Sequence, residues 1–182
     1  SIFEKESMAI HYSVSSLIQE SLVEKLLVAQ YCIEYRKKSG DWGSNGCYGH
    51  PALLLLLSIA DSIGSYVIDG KDVGRHFDIL NHKDYYDLSL STNDVITIYK
   101  QYRCLSDHNS VIGLRTSMDI GTTSNAVLEL QNEMPVLYLR PLFEATQKAV
   151  TQFLENVDSV VYESEQLKSI IKKSFSSSNQ GK

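Results

Sequence analysis

The segment Ile98-Tyr99-Lys100-Gln101-Tyr102-Arg103-Cys104-Leu105-Ser106-Asp107-His108-Asn109 carries the residue types in this sequence best suited to chemistry. Four residues separate Arg103 from His108. Histidine changes charge near neutral pH, so it can accept or release a proton under ordinary conditions. A guanidinium stays charged and grips an anionic oxygen pair through two parallel hydrogen bonds. Together, near the end of one helix, they suit proton transfer beside a phosphate. The same residues also have a purely structural use. Arg103 can bond Asp107 or terminal carbonyls, and His108 can sit at the negative end of the helix dipole.

Spacing alone does not separate these readings. With five arginines and five histidines in the chain, chance supplies about 0.4 matches to so short a pattern. A second match exists, since Arg75 and His82 have six residues between them. Context favours Arg103 and His108, which stand where a strong amphipathic helix gives out, whereas Arg75 and His82 lie in a poorly patterned stretch. Asp61 is a further candidate, because a carboxylate in an apolar helix needs a partner when buried. It pairs with Arg103, joins a polar network, or simply faces solvent. His11, His50 and His76 are isolated and read as surface or packing histidines. Tyr85, Tyr86, Tyr99 and Tyr102 have the ring faces to stack on bases, but tyrosines at helical spacing more often belong to a core or an interface.

The elements that must position these residues follow from periodicity. Val14, Ile18, Leu22, Leu26, Ala29 and Ile33 recur at steps of three or four and predict a helix over residues 14 to 38. Leu17, Val23, Leu27 and Tyr31 widen its apolar face, so it is expected to pack on more than one neighbour. Residues 39 to 50 form a glycine-punctuated connecting loop; no strand precedes it and no Gly-Lys-Ser/Thr ending follows, which excludes a P-loop. Pro51 opens a second helix running through Tyr66, apolar nearly all round, as a central helix should be. A short helix is expected around Arg75 to Asn81, then irregular chain from 83 to 91. Ser91 or Thr92 caps the motif helix, whose buried stripe is Val95, Ile98, Tyr99, Tyr102 and Leu105.

Beyond Asn109 the helical period is lost. Val127–Leu130 and Val136–Leu139 flank a turn containing Asn132 and Pro135 and predict an antiparallel hairpin at about 126–139. Pro141 starts another helix, with Leu142, Thr146, Ala149, Val150, Phe153 and Val157 on one face, and a last one spans Glu163 to Lys173 with Leu167, Ile170 and Ile171 inward. The expected fold is mainly α: one domain over 1–175 of four to five helices with a small β-hairpin insertion, then a disordered tail over 176–182.

Composition narrows the function classes. At 182 residues the chain can bury a core without disulfides or metals. Its three cysteines, Cys32, Cys47 and Cys104, form no C-x-x-C pair and no zinc spacing, so no metal and no cofactor are expected, and reduced thiols suit a cytoplasmic protein. The one concentrated apolar run, Pro51–Leu57, is far short of the roughly 20 residues of a membrane span. The net charge of −5 weighs against broad nucleic-acid binding, which is usually supported by a basic surface.

Over most of residues 10 to 157, the order long helix, glycine-rich loop, apolar helix, motif helix, hairpin, helix resembles bacterial HEPN proteins. The resemblance is carried by Arg103-x4-His108 at the end of a late helix, preceded by Tyr102 and followed by Asn109. Such proteins are nucleotide- and RNA-associated, and many place two motifs across a dimer axis to form a metal-independent ribonuclease site. The resemblance implies a HEPN-like bundle, a homodimer with its two-fold axis near the motif helix, and an endoribonuclease of toxin or stress-response type. It implies His108 as base and Arg103 as phosphate clamp, oriented by Ser106, Asp107 and Asn109. The sequence departs from the pattern at Cys104, where catalytic relatives carry a polar Asn, Asp or His, and a thiol is a poor hydrogen-bonding substitute. The alternative is a non-catalytic dimeric module binding a nucleotide, RNA or an antitoxin-like protein.

Overall fold

The structure is a computed structural model and describes residues 13–38, 42, 45–69 and 72–176. It is mainly helical with one small sheet. Helix α1 (Val14–Glu34) starts at Ser13, whose hydroxyl accepts the Ser16 N–H at 3.1 Å. It ends four residues before the sequence period suggests, because Tyr35 turns extended and stacks on Tyr48, ring centroids 4.6 Å apart and 7° from parallel. The Lys37 N–H then donates to Gly46 across the connecting loop.

Helix α2 (Gly49–Gly64), prolonged by a π-helical turn over Ser65–Asp69, is the centre of the core. Leu53, Leu56, Leu57, Ile59 and Ile63 have no exposed surface. α1 packs along one side of α2, and the motif helix and α6 pack along others. The apolar run is longer than Pro51–Leu57 suggests. Gly49–Ile68 is, among the described residues, the one helix long and apolar enough to cross a membrane by length and composition, and half of it is buried inside the fold.

After a break come α3 (Val73–His76), capped by the Asp72 carboxylate, and a 3-10 turn over Phe77–Asn81. Residues 83 to 91 are irregular, as expected. The motif helix is built of α4 (Thr92–Thr97), a π-helical stretch Ile98–Cys104, and α5 (Leu105–Asn109). Ser91 caps it by accepting the Asp94 N–H. The π-helical stretch is invisible in the sequence; such wide turns rotate the residues that follow them and recur at functional sites. Val95, Ile98 and Tyr102 are buried, so the expected stripe faces the core.

Strands β1 (Ser117–Asp119), β2 (Leu128–Gln131) and β3 (Met134–Tyr138) form a sheet in the order β1-β3-β2. β2 and β3 are the expected antiparallel hairpin, with Leu128 opposite Leu137 and Gln131 opposite Met134. Its two turn residues, Asn132 and Glu133, both have positive φ, the conformation that matches the twist of paired strands. Pro135 sits in the central strand without disrupting it, because β1 pairs only from Val136 onward. β1, parallel to β3, makes the sheet larger than a hairpin.

Tyr102 ties this sheet to the motif helix. Its hydroxyl lies 2.7 Å from the Ser117 carbonyl and 2.9 Å from that of Pro135, and its one proton serves either. Tyr102→Phe is expected to cost about 1–2 kcal/mol, the usual loss when a buried acceptor is left unmade. A lower urea midpoint at unchanged slope would show it.

Helix α6 (Leu139–Glu155) buries Leu142, Thr146, Ala149, Val150 and Phe153, the expected face. The chain breaks at Asn156, so Val157 begins a separate α7 (Val157–Glu163) instead of closing α6. α8 (Glu165–Ser176) buries Leu167, but Ile171 is 47% exposed, against the expectation that it points inward. Ser176 is helical, and residues 177–182 of the expected tail lie outside the described residues, as does His11. α1 packs on both α2 and α6, the more than one neighbour expected of it, while Leu17, Leu27, Val28 and Tyr31 on its outer face are each at least half exposed. Tyr85, Tyr86 and Tyr102 are interior, which removes them as base-stacking or interface residues.

Candidate functional site

Asp61 in α2 is the residue around which the site is organised. One carboxylate oxygen lies 2.9 Å from His76 Nδ1, and the other 3.2 Å from an Arg103 terminal nitrogen. Arg103's other terminal nitrogen reaches Asp107 Oδ2 at 2.6 Å. The same Asp107 oxygen is 3.9 Å from His108 Nε2. A chain alternating between nitrogen side chains and carboxylates therefore runs from buried His76, through Asp61, Arg103 and Asp107, to His108.

Exposure rises along that chain. The side chains of His76, Asp61 and Arg103 are 7%, 19% and 17% exposed, Asp107 is 39%, and His108 is 70%. The inner end is thus held in a medium where charge pairs are strong, and the outer end meets solvent. With a carboxylate facing it, His76 Nδ1 carries a proton and donates it. Lys25 of α1, bonded to Ser58 at 3.1 Å, feels the Asp61 charge as well; burial pulls its ammonium down from the usual lysine range, and Asp61 opposes that shift.

Backbone contact makes this geometry possible. α2 and α3 approach so closely at Gly64 that an added Cβ would stand 2.1 Å from the His76 carbonyl oxygen. Only glycine permits it. Gly64→Ala is expected to destabilise by about 1–3 kcal/mol or more, the range for overpacking a filled interior, and to push His76 off Asp61. Thermal unfolding of the variant checks this.

Of the residues singled out from the sequence, the structure brings Arg103, Asp107, His108 and Asp61 together. The Arg103–Asp107 pair is the one that a purely structural use of the arginine requires, and it is present. Ser106 is buried and Asn109 exposed, and neither bonds to Arg103 or His108; of the three residues expected to orient them, Asp107 is the one in contact with both. Arg75 is exposed and forms no site with His82.

His76, expected to be a packing or surface residue, is buried and belongs to the cluster. Nothing local in the sequence marks it; the only signal was Asp61's need for a partner. Cys104 lies beside Tyr99, and this neighbour, with burial and the Asp61 and Asp72 carboxylates, pushes the Tyr99 phenol above its usual range. Cys32 and Cys47 are free and buried, and burial raises both thiols. Among the described residues no group of three or more His, Cys, Asp or Glu side chains could hold a metal ion.

The Arg103 Nε atom is buried and has no hydrogen-bond partner. Such an atom costs about 1–3 kcal/mol relative to a satisfied one. No known protein family matches this chain, and no curated protein or solved structure is significantly similar to it.

Proposed function

We propose that this chain is a HEPN-like protein acting as a metal-independent endoribonuclease of toxin or stress-response type. The observation that carries the reading is the exposed His108 beside Asp107, which Arg103 holds in place from the buried side. In this mechanism His108 takes the proton of a ribose 2′-hydroxyl. The freed oxygen attacks the adjacent phosphorus, forming a 2′,3′-cyclic phosphate and displacing the 5′-oxygen, which takes up a proton from solvent water to leave as a hydroxyl. Asp107 orients the imidazole and stabilises its charged form, as an acidic partner does for a catalytic base. Arg103, with both terminal nitrogens on carboxylates, serves first as the residue that positions Asp107. It becomes a phosphate clamp when an incoming phosphate replaces Asp107 on its outer nitrogen.

A second reading is favoured by a specific observation. The Arg103 fork is already occupied by Asp61 and Asp107, and the chain carries a net charge of −5. On that reading the cluster locks α2, α3 and the motif helix together in a non-catalytic dimeric module, which binds a nucleotide, RNA or an antitoxin-like protein. Cleavage of a labelled single-stranded RNA by the purified protein, unchanged by a chelator, separates the two. A homodimer with its two-fold axis near the motif helix belongs to both. Light scattering at micromolar concentration is expected to give twice the monomer mass, and a monomer there would remove the composite site.

A further inference from the structure

A groove of about 420 Å³ opens between the segment from α3 to the 3-10 turn and helix α4, with Tyr99 in its wall. Tyr99 is a firm wall. It packs on Phe77 with ring centroids 5.3 Å apart. Arg75 and Lys100 line the groove from facing elements, and both are exposed. Among the described residues neither side chain has an ion-pair or hydrogen-bond partner, although Asp72 and Asp78 lie in the same groove.

The groove's acceptors are unequal. The Asp72 carboxylate accepts the Gly74 N–H at 2.9 Å as a helix cap. The Asn81 amide is occupied by the Leu90 backbone, through bonds of 2.8 and 2.7 Å. Asp78 is left, exposed and uncommitted. The groove thus offers two unpaired cations, a fixed aromatic wall and one free carboxylate. Its volume lies within the usual range for small-molecule sites, roughly 300–1,000 Å³. The complementary ligand has an anionic group for Arg75 and Lys100, a flat ring for Tyr99, and adjacent N–H donors for Asp78. Among nucleotides, the Watson–Crick edge of guanine presents two neighbouring N–H donors that a carboxylate accepts together. Lys100 also precedes His108 by eight residues on the motif helix, at most about 12 Å along its axis because part of it is π-helical.

We propose that this groove holds a guanosine nucleotide of an RNA strand, its phosphate between Arg75 and Lys100, its ring against Tyr99 and its N–H edge on Asp78. The inference rests on the RNA-directed reading of the His108 site and gives that site a base preference. The test uses the full chain and a fluorescent 2′-O-methyl oligouridine carrying one guanosine, which cannot be cleaved. Equilibrium binding is measured at several salt concentrations. Arg75→Ala and Lys100→Ala are each expected to weaken binding about 5- to 10-fold and to reduce the salt slope by about one. Asp78→Asn is expected to erase a preference of about 10-fold or more for the guanosine oligonucleotide over plain oligouridine. All three residues are exposed, so unchanged melting temperatures should accompany these losses.

Free guanosine 5′-monophosphate displacing the oligonucleotide only at far higher concentration supports a strand-borne nucleotide. Displacement at the oligonucleotide's own affinity overturns that assignment. Strong binding that none of the three variants alters overturns the groove and leaves the ribonuclease reading standing. Guanosine-selective binding without any cleavage supports the groove and removes the ribonuclease reading. No RNA binding by the native protein overturns both.

Discussion

His108→Ala is expected to lower RNA cleavage by about 10² to 10⁴, the usual contribution of a positioned acid or base. His108 is 70% exposed and lies 3.9 Å from Asp107, so its removal opens no cavity and leaves no buried group unpaired. The melting temperature should therefore stay within a degree or so, consistent with an exposed substitution of less than about 0.5 kcal/mol. Arg103→Lys behaves differently. The guanidinium reaches Asp61 and Asp107 from two separate nitrogens, and an ammonium on a single stem cannot reproduce that fork. It should lower both cleavage and stability. The proposed proton transfer uses no metal, so a chelator is expected to leave cleavage unchanged. A purely structural cluster gives the same loss of stability at Arg103 but no cleavage by any variant, the native protein included.

The second large effect is on the fold. Asp61→Ala removes the carboxylate that serves both His76 and Arg103 and leaves two cation-forming side chains mostly buried without it. Breaking one partner of a buried pair typically costs 3–5 kcal/mol; with Arg103 and Asp61 still 17% and 19% exposed, about 3 kcal/mol is expected here. The loss should be non-additive. Asp61→Ala combined with Arg103→Ala should cost less than the sum of the singles by about 0.5–3 kcal/mol, the coupling expected of residues in one network. Urea unfolding of the four proteins measures it. A coupling near zero would mean that the contact does not hold the helices together.

Much of this architecture is legible in the order of residues. The core face of α6, from Leu142 to Phe153, follows directly from a 3.6-residue period, and the hairpin follows from β-branched and apolar runs around Asn132 and Pro135. Caps at Ser13 and Ser91 obey local hydrogen-bonding rules that need no distant partner. Boundaries fare worse where a distant contact competes with helix propensity. α1 stops at Glu34 because Tyr35 gains a stacking partner thirteen residues on, and the helix expected to include Val157 breaks at Asn156.

The sequence by itself determined that the chain is mainly helical and that Arg103 and His108 share a helix end, and it left Asp61 in an apolar helix as either paired or facing solvent. These depend on periodicity, spacing and the cost of burying charge, all of which are local. Only the tertiary structure decided what the partner is. Asp61 meets Arg103 from 42 residues away and His76 from 15, across a contact that exists because Gly64 lets two backbones touch. It likewise decided that Tyr102 anchors a third, three-residue strand whose Ser-Met-Asp sequence carries no β signal of its own. Strand pairing and charge pairing at long sequence separation are fixed by which surfaces the core brings together, and no window of neighbouring residues contains that information.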